Sequence, residues 1–269
     1  MRLKLRLIIL VTVALMVMAV GRPERVFNEQ PMRPFGEDGG VEGWSPAALS
    51  NLSFWVYGDG DKYTDDGTTP ATAEDDLVYR WDNMAGTGDN FVQTTSSKRP
   101  LLKLNVYNGH AGMQFDGADD FFVSTLRPDN SSTTILLYKT TTVSEAGTHW
   151  MAGNTTGWIL YRKARTQYYE TYIAGGWMSV ADIADNTPYT SVMRPNVTEI
   201  DFFHNGTKTN RVANVVSFNA DLNYGEAAGT SSPSVNDIAL EVIHYTDVKT
   251  DEEVALILAY LNTKYGLTL

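Results

Sequence analysis

The sequence predicts an all-β fold carrying one C-terminal α-helix, and three observations lead to that class. From Trp44 onward, short apolar runs alternate with clusters of Gly, Asp, Asn and Thr, the pattern of many short strands joined by turns. Aromatic residues make up 11% of the chain and 22 glycines accompany them, which suits half-buried pleated strands and tight turns. A single segment, Thr250 to Gly266, carries helical start, periodicity and stop signals together. Strands at this spacing imply a sandwich or a barrel. The 269 residues are 43% hydrophobic, enough for one sizeable core, and contain no cysteine, so stability must come from packing.

The elements follow in chain order. Residues 1–21 place Arg2, Lys4 and Arg6 before an apolar run from Leu7 that only Thr12 interrupts, and Ala19-Val20-Gly21 supplies small residues for cleavage after Gly21. This is the layout of an export signal, or of a retained hydrophobic segment that anchors in a membrane or docks into a neighbouring subunit. Residues 22–43 hold Pro23, Pro31, Pro34, Gly36, Gly39 and Gly40 with few periodic apolar positions, and read as an extended linker or arm. Residues 44–269 contain neither a fixed-period repeat nor a second linker, so they read as one domain.

Within that domain, strands are expected at Leu52–Tyr57, Gly112–Phe115, Thr133–Tyr138, Trp158–Arg162, Tyr168–Ile173, Thr198–Phe203 and Ile238–Tyr245. One hairpin stands out. Glu199 to Phe203 leads into His204-Asn205-Gly206-Thr207, and Asn-Gly tolerates the positive φ angles of a type I′ turn, so the next strand should be Lys208 to Val212. Thr250-Asp251-Glu252-Glu253 forms a capping box. Val254, Ile257, Leu258, Leu261 and Tyr265 then share one helical face, and Gly266 is a suitable C′ residue. This helix should lie against the sandwich and close one end of its core.

Composition also excludes functions. A formal net charge of −11 repels phosphate backbones and anionic lipid, so nucleic acid is not an expected partner, and membrane contact is expected only through residues 1–21 if they are retained. His110, His149, His204 and His244 stand far apart and match no His-metal spacing. No G-x-S-x-G is present, and Gly86-Thr87-Gly88 and Gly58-Asp59-Gly60 lack the G-K-[ST] of a phosphate loop.

An ordered set of short signatures does resemble a known family. Leu49 to Val56, then Val78-Tyr79-Arg80-Trp81-Asp82-Asn83 with Gly86, Gly88, Asn90 and Gln93, then Arg99-Pro100-Leu101, then Met113 to Gly117 with Asp119-Asp120-Phe121 follow one another. The Phe202 to Thr207 strand and turn, Glu241 to Tyr245, and Tyr260 to Gly266 complete the set. The succession, covering about Pro46 to Gly266, is similar to the concanavalin A-like, laminin-G-like jelly-roll modules of phage virion and bacterial surface proteins. The resemblance implies a two-sheet antiparallel jelly-roll sandwich that binds glycans or decorates an assembly and is seldom catalytic.

Glycoside hydrolases share this fold, and those similar to it place Glu-x-Asp-x-Glu on one strand. A retaining hydrolase needs two carboxyl groups about 5–5.5 Å apart. Here Glu199 and Asp201 occupy the first two places and Phe203 the third, so the proton donor is missing and no catalytic residue is nominated. Glu199 and Asp201 are expected to face solvent from a strand that buries Ile200 and Phe202. Calcium is the one cofactor the sequence suggests: Asp59, Asp61 and Asp65 lie in an acidic loop, although Tyr63 and Pro70 break the EF-hand spacing. Asp116, Asp119 and Asp120 form a second acidic group, read chiefly as an Asx-type turn.

Sugar recognition needs flat aromatic faces beside planar hydrogen-bonding groups. On a strand at Tyr168–Ile173, period two places Tyr168, Glu170 and Tyr172 on one face, and Trp177 and Trp158 lie nearby in sequence. The expected function is a non-catalytic binding or decoration module, virion-associated or surface-exposed, whose partners are glycans or other subunits of an assembly. The competing expectations are a structural cement or spike protein held by its N-terminal arm, and a secreted glycoside hydrolase with unrecognised carboxylates.

Overall fold

The computed structural model describes residues 43–268 apart from 130, 142–147, 151–159, 164–167, 174–175, 183, 185, 196–198, 213–220 and 226–235. The expectations for residues 1–21, for the arm before Gly43 and for Trp158 therefore lie outside the described residues. Among the described residues no helix is long and apolar enough to cross a membrane.

The first half of the domain forms β1 (Leu52–Tyr57), β2 (Lys62–Tyr63), β3 (Arg80–Trp81), β4 (Phe91–Val92), β5 (Leu101–Tyr107), β6 (His110–Gln114) and β7 (Thr133–Thr140). Next come β8 (Thr148–Trp150), β9 (Leu160–Lys163), β10 (Tyr168–Ile173) and β11 (Gly176–Asp182), described by their backbone. The chain closes with β12 (Pro188–Pro195), β13 (Glu199–His204), β14 (Thr207–Val212), β15 (Asp237–Tyr245) and the helix α1 (Asp251–Tyr265). Every pairing between these strands is antiparallel.

The large sheet runs β14-β13-β12-β7-β15-β6-β5 and has eight strands, because β15 changes partner along its length. Ile238 and Ala239 pair with β6, whereas Glu241 to Tyr245 pair with β1. The second layer is the small sheet β2-β3-β4, continued by the isolated bridges Val92–Val123 and Phe122–Tyr224. Between the layers lies a core in which Trp81, Phe91, Phe122 and Tyr224 meet Phe54, Val56, Leu136, Tyr138, Phe202 and Val242 of the large sheet. Phe54 and Phe91 pack edge to face with centroids 4.7 Å apart, an arrangement favoured by the ring quadrupoles. The expected two-sheet antiparallel sandwich with one C-terminal helix is thus the observed architecture.

The helix lies elsewhere than at the end of that core. Ile135, Leu137, Val192, Phe203, Leu240, Ile243 and Tyr245 turn to the opposite face of the large sheet and bury Val254, Ile257, Leu258, Leu261 and Tyr265 there. With both faces covered, β7 and β15 are buried on both sides and lose the in–out alternation of a half-exposed strand. The β15–β7 register shifts between Ala239 and Glu241, which sends both Leu240 and Glu241 to the helix side. Two hairpins turn as their Asn-Gly pairs dictate: Asn205 and Gly206 take φ of 44° and 77°, and Asn108 and Gly109 take 48° and 90°. Gly58 is required for a different reason, since a Cβ there would overlap the main-chain carbonyl of Ala111.

Candidate functional site

Beside the small sheet, a cleft of about 630 Å³ forms where four segments converge. Leu77 bridges to Leu101 on β5, and these two leucines give it an apolar side. The turn after β4 lines it with Thr95, Ser96, Ser97 and Arg99, and the turn after β6 adds Asp116 and Asp120. The amide of Phe121 donates to the Lys98 carbonyl (3.2 Å) and Gln93 Nε2 donates to the Phe121 carbonyl (2.9 Å), tying the two turns together. Gly225 permits the close approach beneath, because a Cβ there would press on the Asp120 carbonyl at 2.6 Å.

The cleft's charges are arranged unequally. Arg99 donates from Nε to the Gln93 carbonyl (3.0 Å), from Nη1 to Thr64 (3.1 Å) and from Nη2 to Thr94 (3.3 Å), and its guanidinium lies over the Tyr79 ring at 4.9 Å. It acts as a pin for the loops. Asp116 folds back on its own turn, its Oδ1 accepting from the amides of Ala118, Asp119 and Asp120 at 2.8, 3.2 and 3.3 Å. Asp120 is 5% exposed, and its Oδ2 accepts from the Asp116 amide (3.0 Å). Burial, reinforced by the charges of Asp116 and Asp119, pushes its carboxyl up to about 7. Oxygens of Asp116, Asp119 and Asp120 lie within 4.8 Å of one another, the convergent acidic group among the described residues.

The calcium expectation was placed on other aspartates, which the structure does not bring into one set. Asp59 accepts from the Ala111 amide (2.9 Å) and sits 2.6 Å from Nδ1 of His110, whose Nε2 reaches the Lys264 carbonyl at 2.7 Å. Its carboxyl stays below the usual range: burial opposes this, and the Ala111 amide and His110 outweigh it. Asp65 accepts from the amides of Gly67, Thr68 and Thr69 at 3.1, 2.8 and 2.9 Å, and bonds with Thr69 and Thr68 lower its carboxyl strongly. Asp61 offers its main-chain carbonyl to the Asp82 amide (2.9 Å).

The expectation that Asp201 faces solvent needs correction, whereas Glu199 is half-exposed and Ile200 and Phe202 are buried on the other face as expected. Asp201 is 6% exposed and pairs with Arg194, itself 6% exposed, which also binds Asp251 at the start of α1 and the Lys249 carbonyl (2.6 Å). β13 lies inside the sheet with the helix over this face, so Asp201 looks toward the helix instead of solvent. Phe203, in the third place of the pattern, is flanked by Arg194 and Lys208 at 5.3 and 5.6 Å from its ring. The strand carrying the proposed aromatic surface has the expected bounds. Tyr168, Glu170 and Tyr172 alternate along β10, and Tyr172 stands opposite Trp177 on β11 in an antiparallel register.

Sequence reasoning did not find Leu77, Thr95, Ser96, Ser97 or Arg99 as a group. A Thr/Ser run reads as a turn, and no spacing rule brings it to Asp120; tertiary pairing does. Asp116 and Asp120 were visible as an acidic pair, and the Asx-type turn expected of Asp116 is present.

The fold is that of an antiparallel β-sandwich. Trypanosoma rangeli sialidase in complex with sialic acid superposes with a TM-score of 0.52 at 10% identity, over 80% of this chain and 33% of the sialidase. The botulinum neurotoxin serotype D ligand-binding domain in complex with N-acetylneuraminic acid superposes with a TM-score of 0.55 at 9% identity, over 80% of this chain and 52% of that one. The chain thus spans a third to a half of the length of these structures. No protein-family model and no curated protein sequence matches it.

Proposed function

We propose that the chain is a non-catalytic glycan-binding module displayed on a virion or a cell surface. The observation that carries this reading is the cleft itself: two leucines line it together with hydroxyls and carboxyls, a mixed lining that suits a pyranose with apolar C–H patches and hydroxyl edges. The antiparallel β-sandwich supports it, and so do the sugars named with the sialidase and neurotoxin structures.

One observation favours a second reading, glycoside hydrolysis: Asp120 is a buried acid near neutrality beside another carboxylate. Glycosidases, however, set their two carboxyls on either side of the scissile bond. Asp116 and Asp120 belong to one turn, and Asp116 is committed to three amides of that turn.

The test is a panel of immobilised polysaccharides assayed for binding and for newly released reducing ends. Saturable binding without release is expected. Sustained release would replace this reading with hydrolysis. Absence of binding, with assembly lost when residues 1–43 are deleted, would replace it with a structural cement role.

A further inference from the structure

We infer that the cleft between the turns 95–99 and 116–120 takes an uncharged, hydroxyl-rich sugar and rejects sialic acid, although the superposing structures hold sialic acid. The inference rests on the glycan-binding reading and adds the ligand's charge and its seat.

A sialic acid carboxylate needs a cation whose donors are free to face it, ideally an arginine fork. The cation lining this cleft is Arg99, and three of its five N–H donors, one on each nitrogen, already go to the main-chain carbonyls of Gln93, Thr64 and Thr94, so the fork is turned toward the protein's own loops. Its plane is held against Tyr79 at 4.9 Å. A carboxylate entering here would instead meet the Asp116 carboxyl on the wall, with Asp119 beside it and with Asp120, whose raised carboxyl is only partly charged at neutral pH. Like charges repel, and the formal net charge of −11 adds a long-range field of the same sign.

An uncharged sugar fits the same groups. Its hydroxyls can donate to carboxyl oxygens and exchange hydrogen bonds with Thr95 and Ser96, while Leu77, 40% exposed at the cleft, offers a surface for a C–H face. The volume of about 630 Å³ lies within the range of small-ligand sites.

The experiment measures binding of the full chain to uncharged hexose oligosaccharides and to the same oligosaccharides capped with N-acetylneuraminic acid. Wild type is compared with Asp120→Ala and Ser97→Trp. Ser97 is exposed, so the tryptophan fills the cleft without disturbing the core, and an unchanged thermal midpoint certifies that variant. Binding to the uncharged ligand at least tenfold tighter than to the capped one, lost at least tenfold in Ser97→Trp, is the expected result. Equal or tighter binding of the capped ligand would overturn the charge assignment. Uncharged-sugar binding that survives both substitutions would overturn the seat while leaving the glycan-binding reading intact. No binding to any oligosaccharide would overturn both.

Discussion

Several residues that carry the family resemblance make hydrogen bonds to the protein's own backbone. Asn83 Oδ1 accepts from the amides of Trp55 and Ala85 at 2.8 and 2.9 Å, and its Nδ2 donates to the Ser53 carbonyl (2.9 Å) and the Thr87 hydroxyl (2.8 Å). Trp81 Nε1 donates to the Tyr57 carbonyl at 3.0 Å, and Gln93 Oε1 accepts from the Thr95 amide at 2.9 Å. These side chains satisfy backbone groups of β1 and of neighbouring loops, which explains why the resemblance is legible as a fold signature. Glu241 reads in the sequence only as part of a strand, yet it is 1% exposed and accepts from Trp55 Nε1, Tyr260, Lys264 and Tyr265 at 2.6, 3.1, 2.7 and 2.8 Å. No local pattern reveals such a buried carboxylate, because its four donors come from β1 and the helix. At this scale Asp120 yields a prediction. Its carboxyl is raised from the ordinary value near 4 to about 7, so the folded form holds a proton that the unfolded chain has lost, and its contribution disappears as pH rises through 7. Asp120→Asn keeps an acceptor for the Asp116 amide and abolishes this titration. Urea unfolding should show the variant more stable than wild type at pH 8, by up to about 4 kcal/mol, with the advantage gone at pH 4. An advantage that does not change with pH would sink the argument.

At the scale of elements, the helix shows how local and tertiary information combine. The Thr250 hydroxyl accepts from the Glu253 amide (3.2 Å), the Glu253 carboxylate accepts from the Thr250 amide (2.8 Å), and Gly266 ends the helix at φ 63°, all as the sequence indicates. The face it covers was not legible, because an amphipathic stripe specifies burial without naming the surface that buries it. Docking uses further ties: Asp251 binds Arg194 and Lys208, and the carbonyl of Tyr265 accepts from Asn108 Nδ2 at 2.6 Å. Thr250→Ala should cost about 1 kcal/mol in denaturant unfolding through loss of the cap, with the slope against denaturant unchanged. A cost several times larger would show that Thr250 does more than cap. Strands with clear alternation or an apolar run, β1 and β10 among them, have the bounds their sequences indicate. β2, β3 and β4 have two residues each and pair with one another and with isolated bridge partners, so they offer no period to read. β12 carries prolines at both ends, which hide a strand paired on both sides.

Across the whole molecule, two buried histidines set the response to acid. Burial lowers both His204 and His244 to about 4; Nδ1 of His244 lies 2.8 Å from the Thr134 hydroxyl, and His204 stacks on Tyr189 at 5.1 Å. Between about pH 6.5 and pH 4 the unfolded chain protonates both rings while the folded chain keeps them neutral, so stability falls as pH falls. Asp120 acts in the opposite sense over this window, since there the folded state holds the extra proton. The net difference is one proton, a slope of about 1.4 kcal/mol per pH unit, and it should roughly double in Asp120→Asn. Unfolding free energies at pH 6.5, 5.5 and 4.5 would check both slopes, and a flat profile in the variant would refute the account. The sequence by itself determined the class of fold, the capped helix and the Asn-Gly turn at 205–206, because each is written in local periodicity or in backbone conformations few residues tolerate. Only the tertiary structure decided that the large sheet is buried on both faces, that Asp201 faces Arg194 instead of water, and that Asp120 meets Thr95 and Leu77 across a cleft. Those facts depend on which distant segments pack together, and packing is a property of the assembled layers that no short window of residues contains.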